Sequence, residues 1–193
     1  MPVDPRQVIR KQIRQARQQL SAAEQQQAAH RLCQQFLSLP ELTSSQHIAI
    51  YLHNDGEIAT TNLIQALWQL GKAVYLPVLH PFTPGFLLFQ RYQPYTEMTC
   101  NKFGIAEPRL ACQQVKCLFE LDMVLTPLVA FDSDGQRIGM GGGFYDRTFA
   151  KQPLVQQRMI GLAHDCQRVE NIPAEVWDLP LPVVVTPSAI YRF

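Results

Sequence analysis

Residues 5 to 20 place Ile9, Ile13, Ala16 and Leu20 at intervals of three and four, which puts a narrow apolar stripe along one face of a helix. Ser21 followed by Glu24 has capping-box spacing, so the first helix ends there and a second begins through AAEQQQAAHRLCQQFLSL. From residue 47 the period changes. HIAIYL predicts a strand, TTNLIQALWQLG a helix capped by threonine and closed by Gly71, and AVYLPVL the next strand. A hairpin-like LLFQRY and a loop-rich middle lead to LDMVLTPLVAFD, which reads as one long buried strand; MIGLAHD and PVVVTP supply the last strands. Strands alternating with helices predict an α/β fold: a mostly parallel sheet with helices on both faces, three layers in all, plus an N-terminal helical arm.

At 193 residues the chain suits a single domain, 1–193, with the helices of residues 1–40 packed on it, and no repeat or low-complexity linker marks a boundary. The formal net charge of +1 creates no overall field that would recruit nucleic acid or an anionic membrane, so any anionic ligand must be met by a local cluster. Five cysteines, an odd number without C-x-x-C spacing, read as reduced thiols of a cytoplasmic protein. The N-terminus lacks the apolar core of a signal peptide, and no run approaches transmembrane length. Its arginine-rich, amphipathic character also suits a transit peptide, although the helix has a better use as part of a binding site.

In open α/β sheets ligands collect at the carboxyl ends of the strands. Three such ends carry unusual residues: LHNDGE, DSDGQRIGMGGGFYDR and HDCQRVENIPAEVWD. The second is the strongest signal. Gly139, Gly141, Gly142 and Gly143 lie within five residues, a backbone whose N–H groups can approach phosphate oxygens without side-chain obstruction. The spacing is neither that of a P-loop nor of a dinucleotide fingerprint, since Phe144 and Tyr145 follow the last glycine. If FYDRTF begins a helix, its N-terminus adds to the attraction for an anion. Arg137 enters this loop and Arg147 leaves it, each suited to bidentate contact with phosphate or carboxylate, or else to solvent. Asp146 is placed either to hold a Mg²⁺ that bridges phosphates or to cap the following helix. Arg10, Arg14 and Arg17, with Lys11 beside them, share a helix face that is either solvated or a clamp for an anion. Glu57 lies at a strand end before a helix. His164 and Asp165 form a pair without a nucleophile partner, and no His/Cys/carboxylate spacing suggests zinc, which removes hydrolase triads and metalloenzymes from consideration.

The stretch VLTPLVAFD followed by GQRIGMGGGFYDR resembles the signature of the 5-formyltetrahydrofolate cyclo-ligase family: a strand ending in a proline-containing apolar run, then a loop with alternate glycines closed by Phe-Tyr-Asp-Arg. The likeness extends to the basic first helix, YLHNDGEIAT, LPVL, HDCQ and WDLPLPVVVTPS. The resemblance implies an enzyme that uses ATP and Mg²⁺ to convert 5-formyltetrahydrofolate into 5,10-methenyltetrahydrofolate, a cytoplasmic monomer with small-molecule substrates. It implies an ATP site at Arg10, Lys11, Gln12, Ile13 and Arg14 and along the loop Arg137, Ile138, Gly139, Met140, Gly141, Gly142, Gly143, Phe144 and Tyr145. Arg137 and Tyr145 carry the catalytic role. The folate site falls on Leu52, Glu57, Phe103 and the loop from Met140 to Phe144, with the glutamate accepting from pterin N–H donors. The metal position falls on Asp146, with Asp178 as a second acid. Many relatives carry basic residues where this chain has Met140 and Gly142, so phosphate neutralisation here is expected to rest on Arg137, the first helix and Mg²⁺. A non-catalytic folate- or nucleotide-binding regulator of the same fold is the alternative.

Overall fold

The computed structural model describes residues 4–193; the first three residues of the expected N-terminal arm lie outside them. Two helices open the chain, α1 (Pro5–Gln18) and α2 (Ala22–Leu37), followed by the short α3 (Glu41–Ser44). The boundary between α1 and α2 is the expected capping box: Ser21 receives the Glu24 amide, and the Glu24 carboxylate receives the Ser21 amide. Then come β1 (His47–Ala49), α4 (Thr61–Gln69), β2 (Ala73–Leu79), β3 (Leu87–Arg91), β4 (Met98–Cys100), β5 (Ala106–Pro108), β6 (Val115–Lys116) and β7 (Met123–Pro127). The chain finishes with β8 (Ala130–Phe131), β9 (Arg137–Ile138), α5 (Phe144–Phe149), α6 (Pro153–Gln156), β10 (Met159–Leu162), β11 (Val183–Val185) and β12 (Ile190–Arg192).

Eight strands form one sheet in the order β12-β11-β10-β7-β1-β2-β3-β6. The five central strands run parallel, and the antiparallel strands are confined to the edges. The period of two shows why both faces are covered. Val74 and Leu76 of β2, Met123 and Leu125 of β7, and Val183 and Val185 of β11 point to one core with Leu32 and Phe36 of α2 and Leu63 and Leu67 of α4. Their neighbours Ala73, Tyr75, Val124 and Val184 point to the other core, with Phe149 of α5 and Val155 of α6. The expected three-layer α/β architecture is therefore present.

Two local expectations change, and a third contact is added. LDMVLTPLVAFD is not one strand: β7 stops at Pro127, which has no N–H to continue a ladder, and Ala130–Phe131 leaves the sheet to pair with Arg137–Ile138. Asp132 fixes that turn, its Oδ1 accepting from the Asp134 and Gln136 amides and its Oδ2 from Ile172 N. Thr60 does precede α4 but does not cap it, because its hydroxyl donates to Tyr51 O at 2.7 Å. Third, the apolar stripe of α1 does not reach the central sheet. Ile13, with Ile9 beside it, packs on Val129, Ala130, Ile138 and Ile172, so α1 lies against the β8–β9 ribbon that carries the glycine loop.

Candidate active site

The carboxyl ends of β1, β2 and β7 and the glycine loop surround a mainly apolar cavity of about 430 Å³. The β4–β5 ribbon closes one side. Its turn is built by Asn101, whose Oδ1 accepts from the amides of Phe103 and Ile105. Glu107 then ties the ribbon to the end of β2: one carboxylate oxygen accepts from Leu79 N at 3.1 Å and from Asn101 Nδ2 at 3.1 Å. Phe103 at the tip is left 54% exposed, its ring edge-on to Phe144 at 5.7 Å, so two aromatic rings frame the cavity mouth. An apolar slot with an aromatic mouth suits a flat heteroaromatic ligand.

At the inner end are the polar groups. Glu57 lies in the turn after β1, where Asn54 N donates to its Oε2 at 3.0 Å. Burial raises its carboxyl from the ordinary 4.5 to about 7, against the opposing pull of the Asn54 amide and Arg17. Arg137, on β9, is 4% exposed and donates to Asp146 Oδ1 at 2.6 Å. Among the described residues its Nε has no partner, and neither does the buried hydroxyl of Tyr145; burial holds the Arg137 guanidinium below, and the Tyr145 phenol above, their ordinary values. Leu52, Glu57, Phe103, Arg137, Tyr145 and Asp146 all line this one cavity. Buried donors without partners are unfavourable, which marks this end of the cavity as suited to a polar ligand.

A second, polar cavity of about 310 Å³ lies on the outer face of α1, lined by Gln7, Arg10, Lys11, Arg14, Gln15, Gln18 and Met140. Met140 lines both cavities, so the glycine loop is the wall between them. Arg10 fastens the loop to the helix by donating from Nε to Gly139 O at 2.9 Å. Gly143 adopts φ +62 and leads into α5, where Arg147 turns back to donate to Gly85 O and to Gly142 O. Arg147 thus braces the loop and does not line the basic cavity.

Several expected site residues sit elsewhere. Ile13 and Ile138 are in the core between α1 and the ribbon, because their apolar side chains complete the α1 stripe's packing; Gln12 is exposed and lines neither cavity. Arg17 does not share the exposed face of Arg10 and Arg14: the turn after β1 folds over it and leaves it fully buried. Asp178 is apart from the cavity, held by Arg6 at 2.6 and 3.0 Å through its two oxygens, and no group of three or more metal-ligating side chains converges among the described residues. Asn101 and Glu107 were not among the expected residues; their one signal was the NKFGIAEP segment that also contains Phe103. His164, at the end of β10, is buried below Gly56 and Arg17, and burial lowers it from 6.5 to about 4. All five cysteines are unpaired.

The sequence model described as the 5-formyltetrahydrofolate cyclo-ligase family matches residues 3–187. The chain is 52% identical over 181 residues to the 5-formyltetrahydrofolate cyclo-ligase of Haemophilus influenzae, covering 94% of this chain and 97% of the relative. It is 47% identical over 181 residues to that of Escherichia coli K12, covering 94% of this chain and 100% of the relative. The solution structure of the 5,10-methenyltetrahydrofolate synthetase of Aquifex aeolicus superposes with a TM-score of 0.83 at 29% identity, covering 97% of this chain and 92% of that one.

Proposed function

The chain belongs to the 5-formyltetrahydrofolate cyclo-ligase family and is an enzyme of that kind; we propose that it closes the ring of 5-formyltetrahydrofolate to 5,10-methenyltetrahydrofolate at the expense of ATP, with Mg²⁺. The observation that carries the reading is the glycine loop standing as a shared wall between an apolar, aromatic-mouthed cavity and a basic one. A folate and a nucleotide placed in them meet at the loop, where Met140 touches both cavities.

The need for ATP follows from the substrate. A formamide carbon is a poor electrophile because its oxygen would have to leave as hydroxide. When the formyl oxygen attacks the γ-phosphorus, the O–P bond forms as the bond to ADP breaks, and the resulting iminium phosphate presents an activated carbon to N10. N10 closes the ring and loses its proton, the C–O bond breaks, and phosphate departs. The protein's work is alignment and charge neutralisation. In this reading Glu57 accepts from the pterin N–H groups and Leu52 packs beside it, while Phe103 and Phe144 take the aromatic part of the substrate. Arg10, Lys11 and Arg14 hold the polyphosphate. Arg137 and Tyr145, whose buried donors lack partners, face the oxygens on which charge develops.

Mg²⁺ would supply charge neutralisation to the phosphates, and it is commonly bound by one or two carboxylates together with phosphates and water. Asp146, which lines the cavity beside Arg137, fits that role; Asp178, occupied by Arg6, fits it less well.

Mixing the protein with 5-formyltetrahydrofolate, ATP and Mg²⁺ is expected to produce the absorbance of the methenyl product with one ADP per turnover. Folded protein that gives neither at any Mg²⁺ concentration would overturn the reading. Binding of both ligands without ADP release would favour a non-catalytic regulator.

A further inference from the structure

One carboxylate of the apolar cavity is bonded to side chains of the basic one. Asp55 lines the apolar cavity, yet its Oδ2 accepts from Arg14 Nε at 2.7 Å and from an Arg17 terminal nitrogen at 3.2 Å, and its Oδ1 from Gln18 Nε2 at 3.2 Å. Arg14 and Gln18 line the basic cavity. The two arginines differ in access: the Arg14 side chain is 44% exposed, that of Arg17 0%. Arg17 also donates to Asp55 O at 2.9 Å and to Leu128 O at 3.5 Å, just beyond the end of β7. A polyanion entering the basic cavity competes with Asp55 for Arg14 but has no route to Arg17. One contact is exchangeable and the other is an anchor.

The anchor reaches Glu57 through a short, fully determined turn. Asp55 is held at φ 49 and Gly56 at φ 72, with the place of the missing Gly56 Cβ only 3.5 Å from Arg17 Cβ. Glu57 N donates to Asn54 O at 2.9 Å while Asn54 N donates to the Glu57 carboxylate. A shift of Asp55 therefore moves the carboxylate that faces the apolar cavity.

We propose that Asp55 is a positioning residue that couples the two cavities: held by Arg17, it sets the Asn54–Glu57 turn, and it exchanges Arg14 with the phosphates, so that nucleotide binding changes affinity for the folate. The inference rests on the assignment of nucleotide and folate to these cavities given above.

The test is calorimetric titration of the full chain with 5-formyltetrahydrofolate, with and without a saturating non-hydrolysable β,γ-imido analogue of ATP and Mg²⁺. The wild type is expected to show a shift in folate Kd of about five-fold or more, and by linkage the same factor in the reverse titration. Asp55→Asn keeps the side chain's shape and suits a positive φ, so it is expected to fold, as a thermal melt checks, and to shrink the cross-effect to about two-fold or less. Hydrogen exchange gives a second measurement: protection of the Asn54 and Glu57 amides should change when the analogue alone is added to wild type, and stay constant in Asp55→Asn. A wild type without the cross-effect, a variant that retains it, or wild-type amides indifferent to the analogue would each overturn the proposal. If 5-formyltetrahydrofolate does not bind at all, the ring-closure reading falls, and the exchange result with nucleotide alone still decides the role of Asp55. If the analogue does not bind, both fall.

Discussion

Glu57 is poised where a small change in surroundings changes its charge. Raised to about 7 by burial, it is a mixture of acid and carboxylate near neutrality. A pterin offering N–H donors selects the carboxylate, so binding at pH 7 is expected to release ~0.5 proton per folate, read as a dependence of the calorimetric enthalpy on the buffer's ionisation heat. Glu57→Gln should abolish that release and weaken folate binding roughly 10- to 100-fold, the worth of about 1.5–3 kcal/mol for hydrogen bonds to a charged acceptor. A variant that keeps both the release and the affinity would place the pterin elsewhere. Asp146 poses a parallel question, since its Oδ1 serves Arg137 and, at 3.3 Å, Leu179 N. Asp146→Asn is expected to raise the Mg²⁺ concentration for half-maximal turnover while leaving calorimetric folate affinity within about two-fold. Melting temperature should be followed in parallel, because Arg137 loses its ion-pair partner. If the Mg²⁺ requirement does not move, the carboxylate's role is only to hold Arg137.

Helix α1 and the glycine ribbon behave as one unit, because Ile13 packs on β8–β9 and Arg10 holds Gly139 O. That distinguishes two arginines that look equivalent along the helix. Arg14→Ala removes a side chain that touches the polar cavity and Asp55, and is expected to raise KM for ATP far more than KM for folate. Arg10→Ala also frees the loop, so both KM values should rise; steady-state kinetics on the two variants separates a phosphate clamp from a loop brace. The apolar stripe and the capping box, both set by contacts a few residues apart, were legible in the chain, as were the glycine loop and most of the parallel strands. The burial of Arg17 was not: it sits at the same helical phase as Arg10 and Arg14, and only the turn after β1, some 40 residues on, covers it. The break at Pro127 and the diversion of Thr60 to Tyr51 O have causes closer in the chain, a proline without an N–H and a carbonyl nine residues back, which hydrophobic periodicity does not register. Asn101 and Glu107 escaped the pattern as Arg17 did, since Glu107 acquires its meaning from Leu79 N on another strand.

Across the whole protein, Glu57 and His164 make large opposite contributions to stability between pH 4.5 and 7. Glu57 has a native value of about 7 against an ordinary 4.5, so the native state binds the extra proton in that interval and stability falls as pH rises. His164 has a native value of about 4 against an ordinary 6.5, so the unfolded chain binds the extra proton and stability rises with pH. Each contributes a slope of about 1.4 kcal/mol per pH unit at most, and the two nearly cancel between pH 4.5 and 6.5. Arg17 disfavours charge on His164 and favours it on Glu57, so one buried guanidinium stands behind both groups. His53, whose charged form burial also disfavours, adds to the His164 side, so wild-type melting temperature is expected to rise modestly with pH across that interval. The pairs Arg14–Asp55, Arg192–Glu41 and Arg6–Asp178 depress their carboxylates and should be lost only at lower pH. Glu57→Gln removes one side of the balance: it should match wild type near pH 4.5 and exceed it by about 2–3 kcal/mol above pH 7, so that its own stability falls steeply below pH 6.5. Urea melts of the two proteins at pH 5 and pH 8 measure the difference directly. An equal gain at both pH values would mean that Glu57 titrates as an ordinary surface carboxylate, and the turn that presents it to the cavity would then be more open to water than its packing on Arg17 implies.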